Sequence, residues 1–200
     1  PAGGFAIWIA RCCAVALGLI AVAWGISVLA FATPDYNLAS AAKRIRAGQD
    51  FSAEALAHFI PIVERAERSP ICQPAAIRDA AILRLRDAEL AVATGQRTRL
   101  DPTIDALRKT VTQALSCEPT DSFLWLVLYW IETTQNGFSG QSLSYLAMSY
   151  RFGRFEGWIA AKRTECALRA FADLPPDLSE MVVDEFAHLL VPHHGPAFKA

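Results

Sequence analysis

The chain has 200 residues, of which 53% are apolar and only 20% charged, with 19 Lys and Arg against 20 Asp and Glu. That is too apolar for a disordered chain and more so than an ordinary soluble domain. The formal charge of −1 lacks the basic excess that a phosphate backbone demands, which excludes nucleic acid as the expected partner.

Residues 12–31 carry no charge, and Arg11 is the sole charged residue among the first 32. Twenty residues at about 1.5 Å each cover roughly the 30 Å of a bilayer's hydrocarbon core. In lipid such a run must be helical, because nothing there pairs free backbone groups. Residues 1–33 are therefore predicted to be a transmembrane anchor in contact with the lipid bilayer, with Trp8 and Trp24 as interfacial candidates. Ala14, Gly18, Ala21 and Gly25 fall at i, i+4, i+7 and i+11, a small-residue face on which a second transmembrane helix could pack. The alternative is that small residues are merely common in such spans. Ala30-Phe31-Ala32 fits a signal-peptidase site, but the uncharged stretch exceeds a usual signal core, and an uncleaved anchor is the favoured reading. Arg11 before the span and Asp35 after it favour the N-terminus inside. Lys43, Arg44 and Arg46 weaken that asymmetry. The expected location is a bacterial inner (cytoplasmic) membrane, crossed once, with a periplasmic C-terminal domain.

Residues 34–51 read as a linker with a short helix at 38–47 closed by Gly48, and residues 52–191 as an all-α domain with no convincing strand. A helix from Ser52 to just before Pro70 has the stripe Leu56, Phe59, Ile60 and Val63. The next, 74–94, turns Ile77, Ala81, Leu85 and Ala88 inward and ends at Gly95. Asp101-Pro102 reads as an N-cap followed by proline in the first turn, opening a helix with Ile104, Leu107, Val111, Ala114 and Leu115 inward. Asp121 caps a helix over 122–135 that is apolar nearly all round and is expected to be the most buried. Helices at 142–152 and 156–171 follow. The last, after Pro175-Pro176-Asp177, has the stripe Leu178, Met181, Val182, Phe186 and Leu189. Pro192 begins a tail over 192–200.

Short breaks between these segments demand antiparallel hairpins. Cys72 and Cys117 each stand in such a break just before a proline-led segment. Alternate breaks fall on one edge of a hairpin stack, so these two cysteines could meet. Their bridge would close a loop of about 45 residues, contribute about 3–4 kcal/mol and imply an oxidising compartment. The alternative is two free, half-buried thiols. Cys166 is expected to be a small core residue.

The run Ala114-Leu115-Ser116-Cys117-Glu118-Pro119-Thr120-Asp121-Ser122-Phe123-Leu124-Trp125-Leu126-Val127-Leu128 resembles the junction between tetratricopeptide-like repeats, with Ala-Leu closing one helix, a Pro-x-Asp turn, and Trp-x-x-Leu opening the next. Trp125 to Trp158 is a spacing of 33 residues, near that family's period of about 34. Phe155-Glu156-Gly157-Trp158 lacks the proline expected before a second Trp. The resemblance covers about residues 75–170, strongly at one turn and loosely elsewhere. It implies a stack of helix pairs that binds peptide or protein through a concave face, and no chemistry.

No catalytic constellation stands out. Gly137-Phe138-Ser139-Gly140 falls one residue short of a nucleophile elbow and reads as a turn. His58 and His188 lie on separate helices, and His193-His194 falls in the tail, so no metal centre is expected. Glu64/Glu67 and Asp87/Glu89 read as solvated members of mixed-charge faces. No cofactor is implied. Aromatic residues crowd 123–158 and read mainly as core. Trp130, Phe138, Phe152 and Phe155 stand at helix edges or turns, and with Arg151 and Arg154 at the rim they form the candidate partner surface. The expected role is a non-catalytic accessory or scaffold subunit among integral membrane proteins. A photosynthetic or respiratory complex is one fitting host. The alternative is a helper in envelope polysaccharide or protein export.

Overall fold

The computed structural model describes residues 2–32, 36–95 and 97–190, so the predicted tail with His193 and His194, and the flank at Asp35, lie outside the described residues. Among the described residues all regular structure is helical. The chain divides into two compact units, residues 1–34 and 35–200.

The first unit is one helix, α1 (Ala2–Ala32). Within it Ile7–Val28 is long and apolar enough to cross a membrane, with a mean hydropathy of 2.1 and no buried side chain among those described. Trp8 and Trp24 are both exposed.

In the second unit, α2 (Tyr36–Arg46) buries Leu38, Ala41 and Ala42 and ends at Gly48, whose φ of 79° suits glycine. The helix expected from Ser52 to the residue before Pro70 is broken in two, α3 (Ala53–Ala57) and α4 (Ile60–Glu67). Pro61 explains the break: it has no N–H for the carbonyl of Ala57, and its ring would clash there, so the chain restarts with Pro61 in the first turn of α4. Leu56 and Val63 still reach the core.

Next come α5 (Pro74–Ala93) and α6 (Arg97–Cys117). The helix expected to open at Asp101-Pro102 starts a full turn earlier, with Pro102 inside it. Near a helix N-terminus proline forfeits only one backbone bond, here to the carbonyl of the exposed Thr98, which water can satisfy. The early turn is held by Arg99, 3.0 Å from Asp87 on α5, and by Leu100 against the core.

Asp121 caps α7 (Ser122–Asn136), accepting from the N–H of Phe123 at 2.9 Å and of Leu124 at 3.3 Å. Eight of the 15 residues of α7 are buried, the most of any helix. Ser139 opens α8 (Gly140–Phe152) in a reciprocal box with Ser142. Then follow α9 (Gly157–Arg169), a 3₁₀ turn at Phe171–Asp173, and α10 (Pro176–Leu190).

Side-chain bonds fix three antiparallel hairpins. A disulfide joins Cys72, just before α5, to Cys117 at the end of α6, with Cα atoms 5.8 Å apart. The Ser149 hydroxyl, late in α8, donates to the Ser122 carbonyl at the start of α7 (2.8 Å). The Phe155 N–H, before α9, donates to Glu185, late in α10 (3.1 Å). The core of this unit runs continuously from Leu38 to Val182.

The stripe expected on α10 is corrected at one position. Leu178 and Val182 are buried as expected, but Phe186 is 40% exposed and Glu185 takes the inward place at 0%. A carboxylate can occupy that place because a buried arginine meets it there. Glu67 likewise is no solvated acid: its carboxylate accepts from Arg84 (2.9 and 3.0 Å) and from Thr110 (2.6 Å). Together those donors hold the Glu67 carboxyl below the usual range despite burial.

Candidate functional site

The helical unit carries an open groove, about 400 Å³ in volume, lined by α2 and its following loop, α5, α7 and α9. The lining helices α5, α7 and α9 are the first members of the three hairpins. Hairpin geometry decides this placement: once the second helices cover one side, the first helices turn their opposite face to solvent. The apolar lining includes Leu85, Leu126, Trp130, Trp158 and Ile159. A pocket of this size with mostly apolar walls and a few polar groups has the general character of a binding site.

Trp158 anchors one end. Its ring packs on Phe123 with centroids 5.2 Å apart, and the guanidinium groups of Arg78 and Arg46 lie 5.7 and 5.9 Å from its centre. Arg78 is held in turn by Asp121 at 2.8 Å. Burial pushes the Asp121 carboxyl upward, with Arg78 and the two capping N–H groups opposing it. Asp79 beside them is pushed up to about 6 by burial, against the pull of Arg46 and Arg78.

Arg86 bonds Asp50 (3.0 Å) and Glu89 (3.3 Å) across the opposite wall, and Arg169 pairs with Glu165 at 2.6 Å. Cys166 faces the same groove, half-buried, and its thiol is pushed up mainly by burial. A thiol so shifted stays protonated at neutral pH and is a poor nucleophile. Among the described residues no three His, Cys, Asp or Glu side chains gather as metal ligands. The Ser139 hydroxyl is engaged as a helix cap, accepting from the Ser142 N–H at 3.2 Å. His58 ends α3, while His188 stacks on Phe155 with centroids 4.6 Å apart. The arrangement can bind and orient; among the described residues no proton-transfer pair or activated nucleophile converges on the groove.

The six residues expected to form a partner surface do not make one patch. Trp130 lines the groove. Phe138, 52% exposed, sits at the turn before α8, whereas Arg151 and Phe152 end that helix of 13 residues, roughly 18 Å away at 1.5 Å per residue. Arg154 pairs with Asp184 and lies over the exposed ring of Phe155, beside His188. On α1, Ala14, Gly18, Ala21 and Gly25 are exposed, and a Cβ at either glycine would meet nothing within 4 Å.

Sequence reasoning missed the groove's charged rim and the buried pair behind it. Arg163 and Glu185, both 0% exposed, bond through Nε to Oε1 at 3.0 Å and through Nη2 to Oε2. Arg163 also donates to the carbonyls of Ser149 and Gly153, each at 2.6 Å, and lies 4.3 Å from the centre of the Tyr150 ring. One signal was present: Arg163 and Glu185 each stand where the 3.6-residue period of their helix calls for an apolar residue. Compared with known proteins, the chain matches no family model, no curated protein and no solved structure.

Proposed function

We propose that this protein is a non-catalytic accessory subunit of a membrane complex, anchored by α1 and recruiting a partner through a stack of helix pairs outside the bilayer. The observation that carries the reading is a division of labour along the chain. One helix exposes an apolar surface over Ile7–Val28 in which Arg11 is the single charge. The other unit has its own closed core and offers an open groove lined by aromatic, aliphatic and charged side chains.

A side chain such as Trp24, 73% exposed, is tolerable in lipid and costly in water, where each fully apolar side chain forfeits about 1.5–3 kcal/mol. The small face of Ala14, Gly18, Ala21 and Gly25 supplies close packing against another span. Three hairpins whose first helices share one groove support the helix-repeat reading, as does the turn at Pro119-Thr120-Asp121. The disulfide Cys72–Cys117 supports an oxidising compartment for this unit, hence a periplasmic side of a bacterial inner membrane.

The test is extraction from native membranes in several mild detergents, followed by native mass measurement. The expected result is a fixed-ratio complex with other integral membrane proteins, lost in a Gly18→Leu/Gly25→Leu variant whose helical unit melts normally. A monomer in every detergent would overturn the proposal.

A further inference from the structure

The groove distinguishes its charges sharply. Four cations and three carboxylates line it: Arg46, Arg86, Lys162 and Arg169 against Asp50, Glu89 and Glu165. All three carboxylates are already engaged, Asp50 and Glu89 by Arg86 and Glu165 by Arg169. Among the described residues, Arg46 and Lys162 meet no carboxylate within ion-pair distance, and both are exposed. Arg46 feels the field of Asp79 but instead lies over Trp158 at 5.9 Å. Lys162 stands one turn beyond Trp158 on α9. The Nε of Arg86 is also buried without an acceptor. What the groove lacks is therefore anionic oxygen, at Arg46 on α2 and at Lys162 on α9.

Beyond Trp158 and Ile159 on α9, apolar surface also lies across the groove. Trp130 and Leu126 on α7 and Leu85 on α5 face the same space. Helices pack about 8–10 Å apart, so a path from α9 across α7 to α5 runs roughly 16–20 Å. A small carboxylic acid would satisfy one wall only. A polypeptide segment can set acidic side chains on one wall and an apolar anchor on the other.

Building on the reading above that the helical unit recruits a partner, we propose that this groove takes a segment of a partner protein carrying acidic side chains beside a large apolar one. Its carboxylates sit on Arg46 and Lys162, and its apolar side chain packs against Trp130, Leu126 and Leu85.

The experiment uses the full chain in detergent micelles. Twelve-residue peptides are selected from a random display library, and their dissociation constants are measured by fluorescence anisotropy. The expected peptides carry Asp or Glu within a few positions of Leu, Phe or Trp. The double reversal Arg46→Glu/Lys162→Glu weakens them roughly tenfold or more, and selection against it returns basic peptides. The milder Arg46→Gln/Lys162→Gln pair gives a smaller loss in the same direction and serves if the reversal disturbs folding. Peptides without acidic excess, affinities unchanged by either pair, or no enriched peptide at all would overturn the proposal. Octanoate binding with the same sensitivity to the charge variants, and with displacement of the peptides, would also overturn it, assigning the groove to a small acid. A native complex that survives the charge reversal intact removes this proposal and leaves the membrane-subunit reading standing.

Discussion

Removing one partner of the Arg163–Glu185 pair gives the sharpest prediction. The five N–H groups of Arg163 are spent on five acceptor contacts: two with Glu185, one each with the carbonyls of Ser149 and Gly153, and one with the Ser149 hydroxyl. The two carbonyls close the C-terminal end of α8, where a positive charge is also favoured by the helix dipole. Arg163→Met strands Glu185, fully buried, with only the Phe155 N–H at 3.1 Å and the Thr164 hydroxyl at 3.5 Å. A buried charge left this way costs about 3–5 kcal/mol. Glu185→Leu strands the guanidinium and also unpairs the Phe155 N–H, at a residue whose φ of 63° needs external support. Its loss is of the same size or larger. For a unit of this length each kcal/mol moves Tm by about 2–4 °C, so each single variant should melt roughly 6–20 °C lower. The double variant Arg163→Met/Glu185→Leu removes both charges together and should lose about 2 kcal/mol less than the two singles combined. Near-ultraviolet circular dichroism melts of the four proteins, in one detergent, measure this. Single losses under about 1 kcal/mol, or strict additivity, would refute the assignment of the pair as the clasp between α8, α9 and α10.

Three further outcomes follow from other parts of the structure. Reducing Cys72–Cys117, or replacing both by Ser, frees a loop set by a sequence separation of 45 and should cost about 3–4 kcal/mol in the loop-entropy account; equal melts with and without reductant would refute it. Gly153→Ala places a methyl against the Ser122 side chain and 2.7 Å from Glu156 Oε2, breaking the Ser122–Glu156 hydrogen bond, so an overpacking loss of about 1–3 kcal/mol is expected and an unchanged urea midpoint would count against it. Asp79, raised to about 6 from 3.8, holds its proton longer when folded than when unfolded. Its contribution is therefore fully present below pH 3.8 and lost as pH rises through about 6. Asp79→Asn should thus stabilise the protein above pH 6, by up to about 3 kcal/mol, with the gain vanishing below pH 4. A gain that persists at pH 4 would show another cause.

What the sequence made legible is what depends on neighbours in the chain. Gly48, Gly95 and Gly137 all mark helix ends and all adopt positive φ. Asp121 caps the helix it was expected to cap. The apolar faces of α5, α6 and α7 follow from a period of 3.6 residues, and Ile77, Ala81, Ile104, Leu107, Val111 and Ala114 are buried as that period requires. Two local signals pointed the wrong way because each has a competing reading. Asp-Pro opens many helices, but at Asp101-Pro102 the preceding turn gains more from Arg99–Asp87 and from burying Leu100 than the proline removes. Pro61 was masked by a good apolar stripe, and stereochemistry at one residue overrode a pattern spread over four.

The groove and the buried pair depend instead on which helices become neighbours. Arg163 and Glu185 are 22 residues apart and on different helices, and although each stands at an apolar position of its helix period, neither segment by itself identifies the partner that lets it be buried. Glu67 is the same case, with its donors 17 and 43 residues away. A periodicity argument assigns charged side chains to water by default, so it fails wherever two opposite charges enter the core as partners. The same default hid the rim of the groove from the other direction. Arg46, Arg86, Lys162 and Arg169 read alike in the sequence, yet among the described residues only Arg46 and Lys162 of these four lack a carboxylate at ion-pair distance once α2, α5 and α9 stand around one space. The recognition proposed for this unit thus rests on which cations the fold leaves without a carboxylate, a property of the assembled helices and not of any one segment.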